Sequence, residues 1–116
     1  NQNDLFTVSN TKGNQALTYP IGLITSDELA YAGISYGYLN RLVYMYSSQS
    51  YWSLSPIGFY SDESAARVWD VNSAGYLNYS LVTYSYGVRP VINLNGNVEI
   101  SSGIGTSSDP YVILVN

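Results

Sequence analysis

Thirteen tyrosines in a chain of 116 residues set the tightest limit on what this sequence can become. A chain of that length builds one domain around one core, with a radius of gyration of roughly 13 Å when compact. Cores are made mainly of Leu, Ile, Val and Phe, and a phenol enters one only where its hydroxyl finds a partner. Thirteen rings exceed that capacity, so any fold open to this sequence leaves many of them outside. With 17 Ser and 11 Asn, the tyrosines make a surface of rigid rings and small polar groups. Binding loops use that combination because rings give contact area at low entropic cost while hydroxyls and amides adapt their hydrogen bonds.

The rest of the composition excludes whole classes of chemistry. The net charge is −4, and the four basic residues, Lys12, Arg41, Arg67 and Arg89, stand singly, so the electrostatic footprint of a nucleic-acid binder is missing. No Cys means no disulfide, thiolate nucleophile or cysteine metal site; no His removes the commonest general base and transition-metal ligand. The expectation is a protein that is no enzyme and needs no cofactor. No apolar run approaches the roughly 18 residues of a membrane span. Asn1-Gln2-Asn3-Asp4 lacks the basic and apolar regions of a signal peptide, which points to a soluble chain or to a piece of a longer one without direct membrane insertion.

Local signals divide the chain into short elements. Leu5 to Val8 reads as a strand and Ser9 to Asn14 as a loop. Ala16 to Ile24, with Pro20 inside it, reads as an edge strand. Thr25 followed three residues later by Glu28 is a capping box, Asp27 and Glu28 suit the positive end of a helix dipole, and Gly33 closes the unit. The sequence therefore predicts one short helix here, and its acids are read as helix-starting rather than catalytic.

Ser35 to Tyr46 suits either a strand or a second short helix over Leu39 to Met45. Ser47 to Ser50 is a loop. Tyr51 to Pro56 alternates, with Trp52 and Leu54 on one face and Pro56 as terminator, so Trp52 is expected in the core. Ile57 to Ser64 reads as an acidic, aromatic loop. Ala65 to Val71 and Tyr76 to Thr83 read as a hairpin about Asn72-Ser73-Ala74-Gly75. Gly87 to Leu94 is a strand broken by Pro90, and Val98 to Ile100 pairs with Tyr111 to Val115. The fold class expected for residues 1–116 is a single α+β domain, mostly antiparallel sheet with one or two short helices.

Five segments, in order and spacing, resemble C-type-lectin-like domains of bacterial and phage surface proteins, a fold related to the formylglycine-generating (sulfatase-modifying) enzymes. They are "LTYPIGLITSDELAYAG" (Leu17 to Gly33), "YWSLSP" (Tyr51 to Pro56), "ARVWDVNSAGYL" (Ala66 to Leu77), "YGVRPVINL" (Tyr86 to Leu94) and "GIGTSSDPYVI" (Gly103 to Ile113). The resemblance implies a sheet and helix supporting irregular segments that present a binding face, outside a bacterial cell or on a phage particle. It does not carry the relatives' cysteine chemistry, since this chain has none. The calcium-binding triplets of animal lectins are likewise missing, Trp69-Asp70 being the nearest approach.

One branch of the fold is the variable protein of diversity-generating retroelements, whose ligand-binding positions are rich in Tyr, Ser, Asn and Asp. The load here is similar, with 8 of the 13 Tyr and 10 of the 17 Ser between Tyr44 and Tyr86.

The residues that look free to grip a protein or glycan ligand are Phe59, Tyr60, Asp62, Glu63, Tyr79, Tyr84, Ser85 and Tyr86. Asp62 and Glu63 read as solvated loop carboxylates rather than a metal or acid–base pair, and Arg89 as a strand residue satisfied by carbonyls or by Asp70. The alternative function is a structural module of a pilus or fibre whose exposed tyrosines pack against neighbouring subunits.

Overall fold

A computed structural model describes residues 18–19, 21–62, 64–94, 96–106 and 108–114. The expected strand at Leu5 to Val8, the loop after it, and Glu63 lie outside the described residues. Eight elements follow in order: β1 (Gly22–Leu23), α1 (Ser26–Tyr31), β2 (Tyr51–Tyr60), β3 (Ala65–Val71), β4 (Leu77–Leu81), β5 (Pro90–Val91), β6 (Glu99–Ser102) and β7 (Val112–Leu114). They form three antiparallel sheets, β1–β5, β2–β3–β4 and β6–β7. The architecture is mostly antiparallel sheet with one short helix among the described residues.

Helix α1 starts as its cap requires. Thr25 Oγ1 accepts from the Glu28 amide at 3.2 Å, and the Thr25 amide donates to Glu28 Oε2 at 2.9 Å. Its end is equally local: Gly33, at φ +93°, donates to the Ala30 carbonyl and lets the Ile34 amide return to Leu29 O at 2.9 Å. This turn swings Ile34 beneath the helix beside Leu29, both fully buried. Thr25→Ala is expected to destabilise the domain by about 0.5–2 kcal/mol. Chemical denaturation checks this, and an unchanged midpoint would mean the box contributes nothing.

The core comprises Ile24, Leu29, Ile34, Tyr51, Val71 and Leu77, with Val43, Met45, Trp69 and Val91 packed against it. Strand β2 turns an unexpected face inward. Tyr51, Ser53 and Ser55 are buried while Trp52 and Leu54 are only half-buried, the reverse of the expectation that Trp52 enters the core. The serines are inward because they bond groups that would otherwise be orphaned. Ser55 Oγ accepts the Ser26 amide of the first helical turn at 2.7 Å, and Ser53 Oγ donates to Trp69 O at 2.7 Å. With the main-chain bond from Leu54 N to Ile24 O, 2.9 Å, they draw α1 and its approach onto the sheet.

Pro56 does not end β2. The strand runs on to Tyr60 through two register irregularities around Pro56, tolerated because β2 is the edge of its sheet. Of the expected loop from Ile57, only Ser61, Asp62 and Ser64 among the described residues lie in a turn. The stretch Ser35 to Tyr46 forms neither of its two expected elements, but turns and isolated bridges. Asn40 and Arg41 clamp it in place: Asn40 Nδ2 donates to Gly33 O and its amide to Gly75 O, both at 2.9 Å, and Arg41 Nε donates to Ala74 O at 2.9 Å.

The hairpin β3–β4 forms as expected. Asn72 Oδ1 accepts the Ala74 amide and Gly75 takes φ +99°. The closing pair also forms, as β6 and β7, but every residue in both strands is exposed. The radius of gyration, 16.0 Å, exceeds the roughly 13 Å of a compact chain this long.

Candidate functional site

The tyrosine surplus stays outside the core: of the thirteen, only Tyr51 is buried. Sheet β2–β3–β4 decides where several of the others go. Alternation along β3 sends Arg67, Trp69 and Val71 to one face and Val68 and Asp70 to the other. Its partners follow, with Leu77 opposite Val71, Tyr79 opposite Trp69, Asn78 opposite Asp70 and Ser80 opposite Val68.

The first face is core at one end and aromatic surface at the other. Beyond Val71 and Leu77, the Trp69 and Tyr79 rings meet edge-on at 5.7 Å. Tyr36, brought alongside by its bridge to Leu77, stacks on Tyr79 at 5.9 Å and meets Trp69 edge-on at 5.9 Å. The guanidinium of Arg67 lies 5.4 Å from the Tyr79 ring and 5.1 Å from that of Tyr60. A continuous series, Tyr36, Trp69, Tyr79, Arg67 and Tyr60, results, with Tyr36 55% and Tyr60 39% exposed. The Tyr36 phenol holds its proton more tightly than usual, first through its hydrogen bond with Tyr79 and then through the Tyr79 charge.

The opposite face is built around a buried acid. Asp70 pairs across the ladder with Trp52 on one side and Asn78 on the other. Tyr86 packs on Trp52 with ring centroids 4.8 Å apart, Tyr84 meets Tyr86 at 6.0 Å, and the Tyr86 hydroxyl lies 3.3 Å from Ser80 Oγ. Asp70 is 0% exposed, and no protein group makes a well-formed hydrogen bond to either carboxylate oxygen. Burial pushes its pKa above the usual aspartate range. The nearby Ser80 hydroxyl and Asn78 amide, the latter donating to Ser80 Oγ at 3.4 Å, oppose that shift only in part.

Of the eight residues singled out in the sequence, the seven that are described divide between the two faces and the connections. Tyr60 and Tyr79 meet across Arg67 on the first face; Tyr84 and Tyr86 meet on the second. Phe59, opposite Ala66 in the ladder, projects away from the face of Tyr60 and is 68% exposed. Asp62 and Ser85 are exposed in the connections after β2 and β4. Tyr36, Arg67, Trp69, Trp52 and Asp70 escaped the sequence reading as site residues. The Trp69–Tyr79 pair had a signal, since each lies five residues from Ala74 at the centre of the turn. Tyr36 had none, because a single bridge from an irregular segment brings it in.

Arg89 is satisfied by a carbonyl, donating from Nη1 to Met45 O at 3.0 Å with its guanidinium 4.8 Å from the Tyr51 ring; Asp70 is not its partner. A cleft of about 460 Å³ lies elsewhere, lined by Leu42, Val43, Tyr44, Tyr46, Gly105 and Thr106, which offer neither carboxylate nor cation. Among the described residues no three of His, Cys, Asp and Glu are grouped to hold a metal ion, and no helix is long and apolar enough to cross a membrane. Compared with known protein families, curated proteins and solved structures, the chain matches none.

Proposed function

We propose that this chain is a non-catalytic recognition module that grips a protein or glycan ligand through its aromatic sheet surface. The observation carrying this reading is the contiguous series Tyr36–Trp69–Tyr79–Arg67–Tyr60, exposed at Tyr36 and Tyr60 and half-buried between them. Monomers rarely expose aromatic groups in such continuity without a use for them, and Trp, Tyr and Arg dominate interface energetics. The scaffold is, in this proposal, C-type-lectin-like, sits on a bacterial cell surface or phage particle, and belongs with the variable proteins of diversity-generating retroelements. The ring-rich surface and the helix-plus-sheet support are what favour that assignment.

Screening wild type against glycan and purified surface-protein arrays, beside a Tyr36→Ala, Tyr60→Ala, Tyr79→Ala variant, tests it. The variant is expected to lose its ligand by at least about tenfold in affinity, which is 1.4 kcal/mol. Equal capture by both proteins sinks the assignment. A second reading, a structural module of a pilus or fibre, draws on a different observation: β6 and β7 expose Ile100, Val112, Ile113 and Leu114, a surface suited to burial against a neighbouring subunit. Concentration-dependent self-association weakened by Ile113→Ser would favour that reading.

A further inference from the structure

An unpaired buried carboxylate is a large local destabilisation, and chains retain few of them. Asp70 is one, and its surroundings are specific. Trp52 and Asn78 flank it across the ladder, Ser80 stands beside it, and Tyr86 roofs the group. The hydroxyl end of the roof is weakly held, the Tyr86–Ser80 contact at 3.3 Å being long for a hydroxyl pair, while its ring packs on Trp52. Every other residue of the segment 82–88 is exposed.

None of the described cations serves Asp70. Arg89 turns to Met45 O and the Tyr51 ring, Arg41 to Ala74 O, and Arg67 lies on the opposite face. The chain as a whole is short of positive charge, at −4.

We infer that Asp70, Ser80 and Asn78, walled by the Trp52 and Tyr86 rings, form a site for a primary ammonium group. That group is the side chain of a lysine on a protein partner or the amine of an amino sugar. An ammonium supplies three donors to a carboxylate and a hydroxyl that lack a good one, and its charge is attracted to the two ring faces. Asp70 is fully buried, so entry requires the Tyr86 ring to leave both Trp52 and Ser80. The inference rests on the recognition reading above and names the chemistry of one ligand group, held on the face opposite Tyr36 and Tyr79.

The chain's two tryptophans make a clean test, since Trp52 belongs to one face and Trp69 to the other. Their indole N–H resonances are followed while n-butylammonium, then Nα-acetyl-lysine amide and glucosamine, are added, with butanol and N-acetylglucosamine as neutral controls. The amines are expected to shift Trp52 saturably and leave Trp69 in place. Asp70→Asn is expected to weaken that binding at least tenfold while the Trp69 resonance stays at its wild-type position, and affinity is expected to fall as acid protonates Asp70. The tighter of lysine and glucosamine identifies the source of the amine. A silent Trp52, equal shifts from the neutral controls, or undiminished binding by Asp70→Asn overturns the inference. Array capture lost on removal of Tyr36, Tyr60 and Tyr79 beside a silent Trp52 leaves the recognition reading standing and removes the ammonium site alone.

Discussion

Tyr51→Ala is expected to destabilise this domain by about 3–5 kcal/mol, a large share of the roughly 5–15 kcal/mol that holds a domain of this size together. Tyr51 is 2% exposed, pairs with Val71 across the ladder, and belongs to a core of only six residues. Its hydroxyl donates to Met45 O at 2.6 Å and the Arg89 guanidinium covers its ring at 4.8 Å, so truncation opens a cavity and uncovers a cation together. Tyr51→Phe is expected to lose only about 1 kcal/mol, the ordinary net value of one hydrogen bond, because Met45 O keeps the Arg89 donor at 3.0 Å.

Thermal melts of both variants check the pair. Alanine should lower the midpoint by upward of about 12 °C and phenylalanine by roughly a third of that or less. Equal losses would place the contribution in the hydroxyl and contradict the packing account. Burial also raises the Tyr51 pKa, against the opposing pull of Arg89. The folded state therefore favours the neutral phenol, and stability falls as pH climbs above the ordinary tyrosine range of about 10.

The second large effect runs the other way. Asp70→Asn is expected to stabilise the domain at neutral pH by about 1–3 kcal/mol, since the amide removes a buried charge without a partner and keeps the side chain's shape. The sign follows from the direction of the shift. The folded pKa of Asp70 is raised by burial, so the folded protein holds its proton more tightly than the unfolded chain does. Its favourable contribution is fully present below the ordinary aspartate range and is lost as pH rises through the folded value. Wild type and Asp70→Asn should therefore converge in stability in acid and diverge toward neutrality in denaturant titrations. Parallel curves across that range would show that Asp70 is already paired in solution.

Features encoded within a few residues were legible in the sequence. The Thr25–Glu28 box, the Gly33 closure and the Asn72–Gly75 turn each need only neighbours along the chain, and each forms where expected. Expectations failed where a distant element decides. Ser53 and Ser55 face inward because Ser26 and Trp69 need partners, and nothing near position 52 shows that Trp52 must yield to Tyr51. Pro56 reads as a stop, yet its edge position excuses the missing donor. For the site, the excess of rings over core capacity was visible from composition. Its division between two faces depends on the β3–β4 register and on one bridge from Tyr36.

The six core residues and the two ring clusters share no member, although Trp69 packs on the core. Tyr36, Tyr60 and Tyr84, the exposed members, are therefore expected to be exchangeable for other polar or aromatic side chains with little loss of folding free energy, whereas Tyr79 and Tyr86 are half-buried against Trp69 and Trp52. On the recognition reading proposed above, this division separates the side chains that would meet a ligand from those that hold the fold together.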